Sequence, residues 1–358
     1  MHLLVDISAH GLGHLAQIAP VLDALRGLLP GLRLTVRSAL PHERLATRIG
    51  GDFEHVAEAR DFGFVMNNAV DIDLAASARR YREFHAGWPQ RVAAEADWLD
   101  RHRIDALLSN VAYLPLAAAA QAGIPAVALS SLNWADLFAS YFGGETWAAP
   151  IHEQILAAYN TARCFLRISP GLPMAGIKRR HALAPVARIG RPDRPRISKM
   201  LDLNESERWL LIAMGGMEFR LPVENWPQIP GLNWLVPREW QIVRQDVRGF
   251  DLPGLKFTDL LASVDAVISK PGYGTFVEAA CSGVPILYLE RPDWPETPWF
   301  ATWLAAHARA AVLTREQLER GDVVDGLHRL WQAPPPILPA AGGATEAAQL
   351  LLRELGLA

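Results

Sequence analysis

Two histidines and two glutamates stand where a reaction would need them. His10 and His14 bracket a glycine turn, Ser8-Ala9-His10-Gly11-Leu12-Gly13-His14, directly after the apolar run Leu3-Leu4-Val5. A neutral imidazole at a helix start is a good general base, because the positive end of the helix dipole disfavours its protonated form. His14 is therefore the candidate base and His10 the reserve; the alternative is a capping or packing histidine. Glu278 follows a second glycine turn, Lys270-Pro271-Gly272-Tyr273-Gly274-Thr275, at helical spacing. There the free N–H groups of a helix start can hold a diphosphate, Thr275 can add a hydroxyl, and the Glu278 carboxylate can accept from two ribose hydroxyls. Further on, Glu296 and Thr297 lie in the polar loop Pro292-Asp293-Trp294-Pro295-Glu296-Thr297-Pro298, within reach of a sugar joined to that diphosphate. The plainer alternative is a strand–turn–helix with an incidental glutamate.

Each turn needs a buried strand before it and a helix after it. Residues 3–7 and 266–269 read as the strands, and 14–29 and 274–281 as the helices. The alternation continues on both sides. Residues 32–36, 106–109 and 125–129 read as strands in the first half; 209–213, 240–243, 255–257 and 286–289 do so in the second. Helical spacing marks 78–103 (broken near Gly87-Trp88-Pro89), 114–121, 298–307 and 344–355. Repeated strand–helix–strand units imply parallel sheets covered on both faces. The expected fold class is thus α/β, with two Rossmann-like domains facing across a cleft. Residues 1–185 form the first and 186–343 the second, and a C-terminal helix at 344–358 crosses back to the first. Residues 163–199, dense in arginine and proline, read as the passage between them.

A chain of 358 residues suits two domains, and 50% hydrophobic with 20% charged residues marks a folded protein. A net charge of −3 gives no reason to expect nucleic acid. No apolar run is long enough to span a bilayer, and Met1-His2 leads straight into a strand with no basic leader. The expected location is cytoplasmic, with the basic passage as the one candidate for peripheral contact with anionic lipid at the inner face of the membrane. Cys164 and Cys281 lie in apolar surroundings and read as buried free thiols. No Cys/His spacing suggests zinc. Asp71-Ile72-Asp73 has the form of a metal-binding D-x-D but lacks a strand end before it, so it reads as a polar loop; no metal and no cofactor is expected. Of the 12 tryptophans, Trp134, Trp147, Trp294 and Trp299 are placed to stack on sugar faces.

The first turn, with Ala16, also fits the loose dinucleotide pattern G-x-G-x-x-G/A, which makes an NADP oxidoreductase a rival. The acid that such a site expects at the end of the second strand is absent, and Arg37-Ser38 stands there instead. Arg37 would suit a 2′-phosphate, but the rival leaves the second turn unexplained.

The donor-type stretch Asp265 through Glu278 resembles that of GT-B glycosyltransferases of the group that includes the peptidoglycan N-acetylglucosaminyltransferase. A closer resemblance is to the glycosyltransferase-like N-terminal domain of plant L-arabinokinases and its stand-alone bacterial relatives. It is carried by His10-Gly11-Leu12-Gly13-His14, Arg60-Asp61-Phe62-Gly63, Ser130-Ser131-Leu132-Asn133-Trp134 and the region from Lys270 to Phe300. The resemblance runs along nearly the whole chain and brings no sugar-kinase domain with it. It implies inverting, metal-independent transfer of a sugar from a nucleotide-diphosphate sugar, UDP above all, to an acceptor hydroxyl. Gly272, Tyr273, Gly274, Thr275 and Gly13 would hold the diphosphate, Glu278 the ribose, and Glu296 with Thr297 the donor sugar. His14 would be the base, and Asn110, Asn133 and Trp134 would mark the acceptor region, with loops at 62–73 and 133–147. Relatives carry an acid in the stretch where this chain has Asn110. A nucleotide-sugar binding protein without transfer and a GT-B-fold epimerase are the alternatives. The expected partners are the donor and a hydroxyl acceptor, with the chain a monomer or dimer.

Overall fold

A computed structural model describes residues 1–216 and 219–357. Residues 1–67, 71–186 and 342–358 form one compact unit, and residues 68–70 with 187–341 form a second.

The first unit is built on seven strands: β1 (His2–Ile7), β2 (Arg33–Arg37), β3 (Glu54–Val56), β4 (Ala106–Asn110), β5 (Ala126–Ser130), β6 (Cys164–Ile168) and β7 (Arg180–Leu183). Their order is β3-β2-β1-β4-β5-β6-β7, and every pairing is parallel. Leu3, Leu4 and Val5 of the central β1 have no exposed surface, as a strand covered on both faces requires. The Gly343–Leu355 helix belongs to this unit, packing on the Leu12–Leu28 helix and touching β5, β6 and β7.

The second unit repeats the plan with six strands: β8 (Arg208–Ala213), β9 (Leu232–Val236), β10 (Val247–Gly249), β11 (Ala266–Ser269), β12 (Ile286–Leu289) and β13 (Ala310–Leu313). The order is β10-β9-β8-β11-β12-β13, again parallel throughout. Trp226 and Trp234 pack edge to face at 5.0 Å in its core.

Strand order reverses between β1 and β4 in the first sheet and between β8 and β11 in the second. At such a point the connections leave in opposite directions and open a crevice beyond the carboxyl ends of the strands. Both glycine turns sit there, one after β1 and one after β11.

Several elements differ from the sequence expectation. The arginine-rich passage is not a bare connection, since it carries β6, β7 and the Arg194–Leu201 helix. β7 is the edge strand, so Arg180 and His181 stand exposed on a strand that is still paired to β6. Residues 240–243 and 255–257 are not strands. Trp240 closes a short 3-10 turn, Phe257 starts a helix, and the strands of that region are β9 and β10.

Candidate functional site

At the first switch point Ile7 of β1 is in register with Asn110 of β4. The chain leaves β1, turns at Gly11 with φ +104°, and enters the Leu12–Leu28 helix, which puts His14 in its first turn. That φ suits glycine, and a Cβ at Gly11 would meet nothing within 4 Å, so the turn faces open space. His14 is 5% exposed, and its Nδ1 lies 2.7 Å from Asn110 Oδ1.

A chain of hydrogen bonds fixes which nitrogen of His14 carries the proton. Asn110 Nδ2 donates to the Leu129 carbonyl at 2.9 Å and to Gln17 Oε1 at 3.0 Å, and Gln17 Nε2 donates to Ser131 Oγ at 3.0 Å. A carbonyl only accepts, so the Asn110 amide nitrogen must face Leu129 and its oxygen must face His14. His14 therefore donates from Nδ1, and Nε2 carries the lone pair. Burial pushes the imidazole pKa down to about 4, against a partial upward pull from Asn110. A carboxylate at this position would stabilise the imidazolium; the amide orients the ring without doing so.

Aromatic and acidic side chains pack around this turn. Trp134, the first residue of the Trp134–Phe142 helix, lies 5.4 Å from the His10 ring and 6.1 Å from the His14 ring. Its indole N–H donates to Asp61 Oδ2 at 2.8 Å. Burial raises the Asp61 pKa to about 6, although hydrogen bonds from Trp134 and Ser8 oppose the rise. Gly63 has φ +57°, and a Cβ there would come within 2.6 Å of Trp134 and 2.8 Å of His10, so only glycine fits. Asn133 caps the helix by accepting from the Asp136 N–H at 2.8 Å. Asn110, Asn133 and Trp134 have no exposed surface, so they shape the turn from beneath.

At the second switch point Ala213 of β8 is in register with Ser269 of β11, and Ser269 Oγ donates to the Ala213 carbonyl at 2.7 Å. The Tyr273–Cys281 helix starts directly after, with Gly272 as its N-cap and no side chain capping it. Gly272 and Thr275 are half-buried, while Tyr273, Gly274 and Glu278 are buried, Glu278 to 1% exposure. Lys270 and Arg291, to which the sequence motif assigns no role, also belong here. The Lys270 Cε lies 3.3 Å from where a Cβ on Gly215 would stand. Burial, with the nearby Arg291 charge, pushes its ammonium pKa down to about 8, and Glu296 pulls the other way. Arg291 lies over the Trp294 ring at 4.3 Å, and the Trp294 indole donates to Glu296 Oε2 at 3.0 Å. Thr297 Oγ1 is buried with no hydrogen-bond partner among the described residues.

The remaining candidates divide. Arg37 is fully buried, donating two bonds of 2.7 Å to Asp6 and one to Glu95. It is occupied inside the fold, which removes the group that the NADP rival needed. Asp73 caps the Leu74–Ala86 helix through the Ala76 N–H at 2.8 Å. Trp294 is buried under Arg291, and Trp147 packs on Phe138 and Phe142; Trp299 alone of the four named tryptophans is exposed. Both cysteines are buried free thiols, with pKa raised to about 12 by burial. Among the described residues no helix is long and apolar enough to cross a membrane.

No protein-family model matches the chain. L-arabinokinase from Arabidopsis thaliana is 24% identical over 354 residues, covering 96% of this chain, which spans only 33% of that protein's length. Among solved structures, the glycotransferase of kitacinnamycin superposes with a TM-score of 0.61 at 18% identity, covering 99% of this chain and 98% of its own. The spinosyn rhamnosyltransferase SpnG complexed with thymidine diphosphate gives 0.56 at 18% identity, covering 100% and 96%. A UDP-N-acetylglucosamine 2-epimerase also gives 0.56, at 13% identity over 100% and 97%. With the two parallel sheets and the returning C-terminal helix, these likenesses define the class: the fold is GT-B, the two-unit α/β fold of glycosyltransferases.

Proposed function

We propose that this chain is an inverting glycosyltransferase that moves a sugar from a nucleotide-diphosphate sugar, with UDP as the nucleotide, to an acceptor hydroxyl. The first unit supplies the base and the second holds the donor. His14 Nε2 takes the hydroxyl proton as the acceptor oxygen attacks the anomeric carbon. The bond from that carbon to the diphosphate oxygen breaks, and its electron pair leaves with the nucleoside diphosphate. The helix start at Gly272–Thr275, with Lys270 and Arg291, meets the charge that develops there without requiring a metal. Glu278 takes the ribose, and the orphaned Thr297 hydroxyl with Glu296 takes the sugar. This reading rests chiefly on the hydrogen-bond chain Ser131–Gln17–Asn110–His14, which keeps a neutral imidazole in one tautomer at a switch point. The L-arabinokinase likeness along the whole chain and the glycosyltransferase neighbours support it.

The test is release of UDP from UDP-sugars by the full chain, with and without added acceptor hydroxyls. Acceptor-dependent release with an inverted product supports transfer. Consumption of the UDP-sugar without acceptor points to an epimerase, and binding without turnover to a carrier. Glu278→Gln is expected to weaken UDP binding by about tenfold, the worth of a hydrogen bond to a charged group; unchanged calorimetric affinity removes the ribose role.

Lys270 makes donor binding depend on pH. Its ammonium is mostly protonated below about 8 and mostly neutral above. A diphosphate binds the protonated form, so UDP affinity falls as pH rises through about 8, by at most about tenfold per pH unit. Lys270→Arg is expected to hold affinity across that range, and Lys270→Met to be weak and flat. A wild-type affinity that does not change with pH takes Lys270 out of the site.

A further inference from the structure

A cavity of 480 Å³ opens in the first unit between the loop at residues 59–62 and the helices Leu74–Ala86 and Trp88–Arg101. Its size falls in the roughly 300–1,000 Å³ range of small-molecule sites. One residue joins its wall to the histidine turn: Asp61 lines the cavity and also holds the Trp134 indole, whose ring packs beside those of His10 and His14.

The charges on its wall are not equally free. Arg60 pairs with Glu58 at 2.7 Å and with Glu95. Glu95 is shared between Arg37 and Arg60. Arg80 instead lies over the Phe62 ring at 4.6 Å, and Arg91 over the Phe84 ring at 4.9 Å with its Nε donating to the Phe84 carbonyl at 3.0 Å. Neither makes an ion pair with a carboxylate among the described residues. Aromatic faces thus hold two guanidiniums in place while their terminal nitrogens remain available. Of the lining carboxylates Glu95 is taken by Arg37 and Arg60 and Asp61 by the Trp134 indole, which leaves Glu83 and the far side of Asp61 to oppose them. Two planar, pre-positioned forks suit a carboxylate or phosphate, which each can grip through two parallel hydrogen bonds.

We propose that this cavity binds the acceptor and that the acceptor carries an oxyanion, gripped by Arg80 and Arg91. The proposal rests on the transferase reading for the word acceptor, but the oxyanion site can be tested apart from it. Calorimetric titration of the full chain with glucuronate, glucose 6-phosphate and neutral glucose compares one sugar ring with and without the charge. Glucuronate, glucose 6-phosphate or both are expected to bind at least about tenfold more tightly than glucose. Preference between the two tells carboxylate from phosphate. Arg80→Gln with Arg91→Gln, both at exposed positions, is expected to erase the difference while UDP affinity stays as in the wild type. Glucose binding as tightly as its anionic forms, no binding by any of the three, or an unchanged double variant overturns the site. If the anions bind through these arginines but receive no sugar from any UDP-sugar, the oxyanion site stands and its assignment to the acceptor falls, while the transferase reading is decided by acceptor-dependent UDP release.

Discussion

His14→Ala is expected to lower turnover by about 10²–10⁴-fold, the usual contribution of a positioned general base, while leaving UDP affinity nearly unchanged. The separation follows from the topology. His14 stands after β1 in the first unit, and the glycine turn proposed for the diphosphate follows β11 in the second. Its pKa near 4 shapes the rest of the result. A free histidine would lose its lone pair to a proton below about 6.5, and activity would fall across the neutral range. Here the imidazole stays neutral far lower, so the acid limb of kcat/KM lies near 4. Asn110→Asp separates charge from orientation. A carboxylate against Nδ1–H keeps the tautomer but favours the imidazolium, so the limb moves up in pH. Asn110→Leu removes the orientation and lowers kcat at every pH. Steady-state rates from about pH 4 to pH 8 distinguish these outcomes. A His14→Ala variant with wild-type kcat removes His14 from the chemistry, and an Asn110→Asp profile that coincides with the wild type removes the pairing.

What could be read from the sequence was what lies within one turn of the chain. Gly11, His14, Gly272 and Glu278 announce a strand–turn–helix because the strand, the glycine and the first helical turn are neighbours in sequence. The partner of His14 lies 96 residues away, and nothing local at Asn110 shows that its amide will face an imidazole. Only the pairing of β1 with β4 brings the two together. Lys270 was in view within its motif, yet its depressed pKa comes from burial and from Arg291 on the far side of β12, which no local pattern carries. Short edge strands were missed for a related reason. β3 and β10 are three residues each, too short for any periodicity, and β7 is masked by the arginines that an exposed edge tolerates. The returning helix at Gly343–Leu355, by contrast, was legible from its own amphipathic spacing and from the prolines and glycines before it.

Arg37 shows how one residue type supports opposite readings until its neighbours are known. At the end of a second strand it could have faced a ligand phosphate; in the fold it faces Asp6 on β1 and Glu95 on the Trp88–Arg101 helix, with the Trp98 ring 4.4 Å from its guanidinium carbon. Arg37→Met is therefore expected to destabilise the first unit by about 3–5 kcal/mol, because it leaves two buried carboxylates without their shared cation. That is a large part of the roughly 5–15 kcal/mol that holds a typical domain together. The pH dependence gives the cause away. Burial already raises the Glu95 pKa, and Arg37 is the strongest group pulling it back down. Without Arg37 the Glu95 carboxyl binds its proton still more tightly folded than unfolded, so the variant's stability falls as pH rises through its folded pKa. The deficit against wild type is then largest near neutral pH and shrinks in acid, once the pH is well below the roughly 4.3 of a free glutamate and Glu95 is protonated in either state. Urea denaturation of wild type and variant at both ends of that range measures it. A deficit under about 1 kcal/mol at neutral pH, or one that does not change with pH, would mean that the pair is solvated in the folded chain. Arg37 would then be available to a ligand after all.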